Sequence, residues 1–316
     1  NLEITTNLSQ FYSNGKLLLT GEYLVLDGAT ALAVPTKFGQ DLLVSKITEP
    51  QLIWGSFTHT GDCWFEAVFD LPKLRLVSAT FNSDTEENAE FIAETLQDIL
   101  QEARKLNPGF LQSKTGFIVK TTLTFPRDWG LGTSSTLVNN IAQWAAIDAY
   151  QLLQNSFSGS GYDIANAQHN LPILYQLKNK KPLIKTVDFS PQFSDQLYFV
   201  YLNKKQNSKE GIAKYKENND DFKNEIHRIS EISLEMCSVK SLLDFERLIE
   251  EHEQIIASII KLKPVKELLF PDYLGAIKSL GAWGGDFVLV TGNKSTLQYF
   301  KEKGYETILS YSDMVL

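Results

Sequence analysis

The hydrophobic positions in the first third of the chain fall into short runs. "ALAVPTKFGQDLLVSKI" (31–47), "QLIWGSF" (51–57) and "CWFEAVFDL" (63–71) alternate or cluster apolar residues between Gly, Pro and Asp, the pattern of strands and hairpins. "GKLLLTGEYLVLDG" (15–28) holds two more apolar runs around Thr20, Gly21 and Glu22. The period then lengthens. Over 85–106, Phe91, Ile92, Leu96, Ile99, Leu100 and Ala103 recur at spacings of three and four behind a Glu-rich first turn, which predicts a helix starting after Thr85. "GFIVKTTLTFP" (116–126) returns to strand alternation, and 135–153 predicts a second long helix.

The second half has a different texture. A strand is predicted at 195–203 and charged amphipathic helices at 208–239 and 241–260. A short helix is predicted at 272–281, leading through a glycine-rich turn into a strand that reaches 292. A last helix (294–304) and a last strand (305–312) follow. This pattern predicts an α+β chain of two domains, 1–190 and 191–316, with the boundary after "DFSPQFSD".

Composition narrows the function classes. Thirty basic residues against 38 acidic ones leave a formal charge of −8, which gives nucleic acid no basic face to bind. Any anionic ligand must then be held by a few local cations and backbone amides. Cys63 and Cys237 lie far apart without metal-type spacing, which fits a reducing cytoplasm better than a disulfide framework. No apolar run reaches the ~18 residues of a membrane span, and no secretion signal is read at the N-terminus. The expectation is a cytoplasmic protein with no nucleic-acid or membrane partner. The four histidines, His59, His169, His227 and His252, make no metal spacing.

The candidate chemistry starts at "PRDWGLGTSST" (126–136). Its glycines let the backbone approach a ligand closely. A helix starting near Thr133 aims unpaired amides and its positive dipole end at the loop, a good place for phosphate. The loop lacks the lysine of G-x-x-x-x-G-K-[ST] and is not G-x-G-x-x-G. A capped helix start, with Thr133 as N-cap, accounts for the same residues at about 1 kcal/mol. Two other segments bear on the choice. Lys16 and Glu22 bracket the apolar run of "GKLLLTGEYLVLDG", and Asp163 follows Gly159-Ser160-Gly161 into a helical stretch. Taken singly, Lys16 reads equally as a solvated strand edge and Asp163 as a helix cap.

Together and in this order, these segments resemble the GHMP kinase superfamily, named for galactokinase, homoserine kinase, mevalonate kinase and phosphomevalonate kinase. "GKLLLTGEYLVLDGATALA" resembles its first motif and "PRDWGLGTSST" its second, P-x-x-x-G-L-G-S-S-A. "GAWGGDFVLV" (281–290) resembles the third. The resemblance covers nearly the whole chain. It implies the GHMP kinase fold: an N-terminal domain like domain 2 of ribosomal protein S5 and a ferredoxin-like C-terminal domain. It also implies ATP and Mg²⁺ as cofactors. Gly130, Leu131, Gly132, Thr133, Ser134 and Ser135 would hold the nucleotide phosphates, and Ser134 would ligate the metal. Asp163 would be the catalytic base, and Lys16 would stand near it and the transferred phosphoryl. Glu22 would act directly, or lie on the nucleotide side or behind the reacting groups. Gly281, Gly284 and Gly285 would line the acceptor pocket.

The sequence departs from that pattern twice. Where mevalonate kinases carry a Mg²⁺-binding Glu about ten residues before the Asp, this chain has Gln151 and Gln154. In the third motif Trp283 replaces a glycine, where it either narrows the acceptor pocket or simply packs. "GSGYDIANA" is most similar to the phosphomevalonate kinase form. A phosphorylated acceptor would need cations, for which Arg127, Lys204, Lys205 and Lys120 are candidates, Arg127 first. The leading expectation is a kinase acting on phosphomevalonate in isoprenoid biosynthesis. Mevalonate or another GHMP acceptor is the alternative, and a metabolite- or ATP-binding sensor is the alternative from another class. Either a monomer or a homodimer fits the sequence.

Overall fold

A computed structural model describes residues 4–82 and 88–316. In chain order it begins with strand β1 (Ile4–Leu18), a one-turn 3-10 segment (Leu24–Asp27), β2 (Ala31–Ile47), β3 (Gln51–Phe57), β4 (Cys63–Asp70) and β5 (Leu76–Phe81). Helix α1 (Ala89–Leu106), β6 (Gly116–Thr122), α2 (Thr133–Ala145), α3 (Ala149–Ser156) and α4 (Tyr162–Gln168) follow. Then come β7 (Ile173–Lys178), β8 (Lys181–Thr186), β9 (Leu197–Tyr201), α5 (Ser208–Lys216), α6 (Lys223–Ser238) and α7 (Leu242–Ile260). The chain ends with α8 (Val265–Leu269), β10 (Ile277–Ser279), β11 (Phe287–Thr291), α9 (Lys294–Glu302), β12 (Ile308–Ser310) and α10 (Tyr311–Met314).

Two compact units result, and they do not follow a single cut at residue 190. The first takes the chain up to Gly15, Phe38–Arg127 and Gly132–Gln168; the second takes Lys16–Lys37, Asp128–Leu131 and His169–Leu316. Strand β2 contributes to both: Leu43–Ile47 pair with β6 and Ala31–Ala33 with β7.

In the first unit the strands run β5-β4-β3-β6-β2, with β3 and β6 parallel and the other neighbours antiparallel. Alternation in β3 buries Leu52, Trp54 and Ser56, as a period of two requires. Leu52 and Trp54 meet Phe65 and Phe69 of β4, Leu96 and Ile99 of α1, Val138 and Ile141 of α2 and Leu152 of α3 in one core.

The second unit holds the β7–β8 hairpin and a four-stranded antiparallel sheet of order β10-β11-β9-β12. Strand, helices, two strands, helix, strand in that spatial order is the ferredoxin-like arrangement. Val200, Val288, Val290, Phe270 and Phe300 form its core.

Several local expectations change for physical reasons. The helix expected over 135–153 is two helices. Ala146 turns left-handed (φ 54°), and Asp148 restarts the chain as N-cap, accepting from the Tyr150 amide. The helix expected over 208–239 breaks between α5 and α6. The helix expected over 272–281 is strand β10, because Ile277–Ser279 pair with β11. The second apolar run of 15–28 is the 3-10 turn, not a strand. Helix α1 is capped by Asn88, which accepts from the Glu90 amide; Thr85 lies outside the described residues.

Candidate functional site

The glycine loop is built by backbone conformation. After a 3-10 turn at Arg127–Trp129, Gly130 has φ 72° and Gly132 φ 97°, and α2 starts at Thr133. Gly132 is therefore the N-cap, in place of the expected Thr133. The first intrahelical bond is made by Thr136 N–H to the Gly132 carbonyl at 3.0 Å, so the Thr133, Ser134 and Ser135 amides precede the helical ladder. The hydroxyls divide. Ser134 is exposed. Ser135 is buried and donates back to the Gly132 carbonyl at 3.1 Å, so only its backbone faces the expected role. The Leu131 side chain is fully buried, so it too offers only backbone.

A buried polar network holds this helix start. Thr136 donates to Gln40 Oε1 (2.7 Å), and Gln40 donates to Thr121 (2.8 Å). Asn140 donates to the Gln40 carbonyl (3.0 Å) and accepts from Ser13 (2.7 Å). Asn139 donates to Ser13 (2.8 Å) and accepts from Gln168 of α4 (2.9 Å). Most buried polar groups are hydrogen-bonded, and these ties fix α2 and α4 on the sheet.

Asp163 is in the first turn of α4, half-buried, and its Oδ1 accepts from the Ile164 amide at 3.1 Å. Around it lie groups that the sequence reading missed. Burial, then the charges of Asp148 and Asp163, push the Tyr150 phenol up, and its hydroxyl is buried with no hydrogen-bond partner. Asn166, one turn beyond Asp163, is fully buried with both amide atoms unpartnered. Such groups are costly to leave unmade and are characteristic of sites completed by a ligand or water.

In the second unit, Lys16 Nζ donates to the Gly130 carbonyl at 2.9 Å, and the Lys16 amide donates to the Leu131 carbonyl at 3.0 Å. The first motif is thus fastened to the glycine loop 114 residues away. The third motif joins them. Asp286 donates its amide to the Lys204 carbonyl (2.7 Å), and its Oδ1 accepts from the Gln206 amide (2.9 Å). A Cβ on Gly285 would come within 2.7 Å of the Lys204 carbonyl, which is why the turn needs glycine there. Gly281 (φ 61°) and Gly284 (φ 97°) complete the turn. The structure therefore gathers Lys16, Gly130, Lys204 and Gly285 around Asp286, whose place at the end of "GAWGGD" was a signal the sequence reading passed over.

Glu22 is not at the surface. It is 1% exposed, and its Oε1 accepts from Lys278 Nζ at 2.8 Å. Lys278 lies 3.3 Å from Glu253 and also donates to the Ser279 carbonyl (2.6 Å). His252 Nε2 accepts from the Gly21 amide (3.0 Å), which fixes the neutral imidazole. Burial raises the Glu22 carboxyl to about 7 against the pull of Lys278, and burial holds His252 well below its usual value. Placed this way, Glu22 ties the turn after Lys16 to Lys278 of β10.

Trp283 is 3% exposed; its amide donates to the Tyr23 hydroxyl at 3.2 Å, and its indole nitrogen is buried without a hydrogen-bond partner. Arg127 lies in the first unit with its guanidinium 3.6 Å from the Trp64 ring centre and 6.0 Å from that of Phe81. Lys204 and Lys205 are exposed, and Lys120 is an exposed residue of β6.

Among the described residues no group of three or more His, Cys, Asp or Glu could cage a metal. The fit to Mg²⁺ is that of a phosphate-borne ion. Ser134, exposed at the start of α2, and Asp163, in the first turn of α4, are the hydroxyl and the carboxylate that would be available to such an ion beside waters and nucleotide oxygens. Among the described residues no helix is long and apolar enough to cross a membrane.

No protein-family model matches the sequence, and no curated protein matches it. Solved structures do match. Methanococcus jannaschii mevalonate kinase is similar with TM-score 0.68 at 16% identity, over 96% of this chain and 98% of that one. Streptococcus pneumoniae phosphomevalonate kinase in complex with phosphomevalonate and AMPPNP is similar with TM-score 0.64 at 16% identity, over 98% of each chain. Lactococcus lactis galactokinase complexed with galactose gives TM-score 0.62 at 13% identity, over 96% and 93%.

Proposed function

We propose that this chain, which has the fold of the GHMP kinases, transfers the terminal phosphoryl group of ATP to a small-molecule acceptor, and that the acceptor is phosphomevalonate. The observation that carries the reading is the loop at Gly130. A left-handed glycine with a lysine on its carbonyl runs directly into the amide-rich start of a 13-residue helix. Phosphoryl transfer needs positioning and charge neutralisation more than covalent help, and this loop offers both.

In this reading the Gly130–Ser135 backbone holds the ATP phosphates, and Ser134 and Asp163 complete the shell of their Mg²⁺. Asp163 takes the proton from, or orients, the attacking oxygen, and Lys16 offsets developing charge. The motif "GSGYDIANA" supports the phosphorylated acceptor. Arg127 favours the second reading, mevalonate, because its guanidinium is stacked on Trp64.

ATP turnover with mevalonate, phosphomevalonate, homoserine and galactose tests the proposal. Phosphomevalonate should be phosphorylated fastest. If mevalonate wins, the second reading replaces the first. If ATP binds and no acceptor is phosphorylated, the kinase reading fails in favour of a sensor.

A further inference from the structure

Asp286 is held more deliberately than a turn residue requires. It is a non-glycine residue with φ 55°, and it is zipped on both sides: its amide to the Lys204 carbonyl, its carbonyl to the Leu202 amide (2.8 Å), its carboxylate to the Gln206 amide. This geometry lays the carboxylate against the glycine loop. A Cβ built on Gly130 would lie 2.3 Å from Asp286 Cγ and 2.5 and 2.6 Å from its oxygens. Burial raises the Asp286 carboxyl; the Gln206 amide and the charges of Lys16 and Lys205 favour its ionised form, and Asp128 opposes it. A carboxylate in a loop meant for polyphosphate weakens anion binding. Its presence calls for a reason.

We propose that Asp286 is a positioning residue of the phosphate loop: it keeps Lys16 on the Gly130 carbonyl and limits how tightly the loop holds polyphosphate before transfer. The inference rests on the kinase reading for its catalytic half and on binding alone for the other half. Removing the carboxylate leaves Lys16 and Lys205 less balanced. Polyphosphate then binds more tightly in the ground state, while Lys16 is no longer aimed, so turnover slows. A residue that only stabilised the turn would, on removal, weaken binding instead.

The test compares the wild type with Asp286→Asn, an isostere that tolerates a left-handed backbone, and with Asp286→Gly, which has no strain there. MgATP affinity is read by calorimetric titration, kcat with the best acceptor of the panel, and folding by thermal unfolding. We expect MgATP to bind about fivefold more tightly, the effect of one unit charge a few ångströms away in a well-solvated site. We expect kcat to fall at least ~10-fold, as small misplacements of catalytic groups do. Weaker or unchanged MgATP binding in whichever variant folds overturns the inference, as does an unchanged kcat. A wild type that binds MgATP but phosphorylates nothing sinks the kinase reading alone, and the binding comparison still judges Asp286.

Discussion

The carboxylate of Asp286 stands where a side chain on residue 130 would have to go, with Cγ 2.3 Å from the position of its Cβ. Gly130→Ala therefore meets both a left-handed φ and a steric clash. We expect a loss of about 1–3 kcal/mol in denaturant unfolding. Pairing it with Asp286→Gly should recover part of that loss, because the clash partner is gone. Additivity of the two changes within about 0.5 kcal/mol in a double-mutant cycle would contradict this coupling.

Asp163 opens α4 in the unit that also contains Ser134. Asp163→Asn should cut turnover at least ~10²-fold with MgATP affinity retained. A variant with near-normal turnover would remove Asp163 from the chemistry. Tyr150→Phe, which deletes an unpartnered buried hydroxyl, should leave folding stability unchanged or higher.

The buried cluster predicts two opposed pH slopes. The folded-state value of Glu22, about 7, lies above its unfolded value, so its contribution is complete below ~4.5 and is lost as pH rises to about 7. His252 is depressed, so its contribution is present above ~6.5 and is lost as pH falls. Between pH 5 and 6.5 the two oppose each other. Glu22→Gln should leave stability falling towards acid; His252→Asn should leave it falling towards neutral pH. Unfolding curves at half-unit pH steps check this, and identical slopes in the two variants would refute it.

Lys278 pairs with both Glu22 and Glu253, and it has no exposed surface. Lys278→Met leaves two buried carboxylates without it and should cost about 3–5 kcal/mol. Adding Glu22→Gln should return part of this, measured by the same unfolding experiment.

Arg127 rests on Trp64 at 3.6 Å. If it reads the phosphate of an acceptor, Arg127→Ala should raise KM for phosphomevalonate and leave KM for mevalonate unchanged. Equal KM values in variant and wild type for both acceptors would assign Arg127 to its ring contact, worth about 0.5–2 kcal/mol in stability.

Elements with a strong local period were legible in the sequence. Strands 31–47 and 51–57 lie where the pattern put them, and the helix expected over 241–260 is Leu242–Ile260 behind Ser241. What was missed depends on partners far along the chain. β10 has three residues, too few to show a period, and is a strand because β11 lies beside it. The break at Ala146 hides inside a continuous apolar pattern. At the site, the glycines and Asp163 showed themselves through motif and spacing. Asp286 needed the approach of Gly130 to be noticed, and the sequence held no sign that the partner of Glu22 is Lys278, 256 residues away.

That last pairing bears on how the protein can be divided. A fragment made by cutting near residue 190 would carry Lys278, Glu253 and His252 but not Glu22, and its second sheet would travel without residues 16–37 and 128–131 of the same unit. Either half would leave part of a compact unit behind. The segment that carries Lys16 must be inherited together with the C-terminal sheet that anchors it, so shuffling at the apparent domain border would strand a buried lysine as surely as it would unseat the phosphate loop.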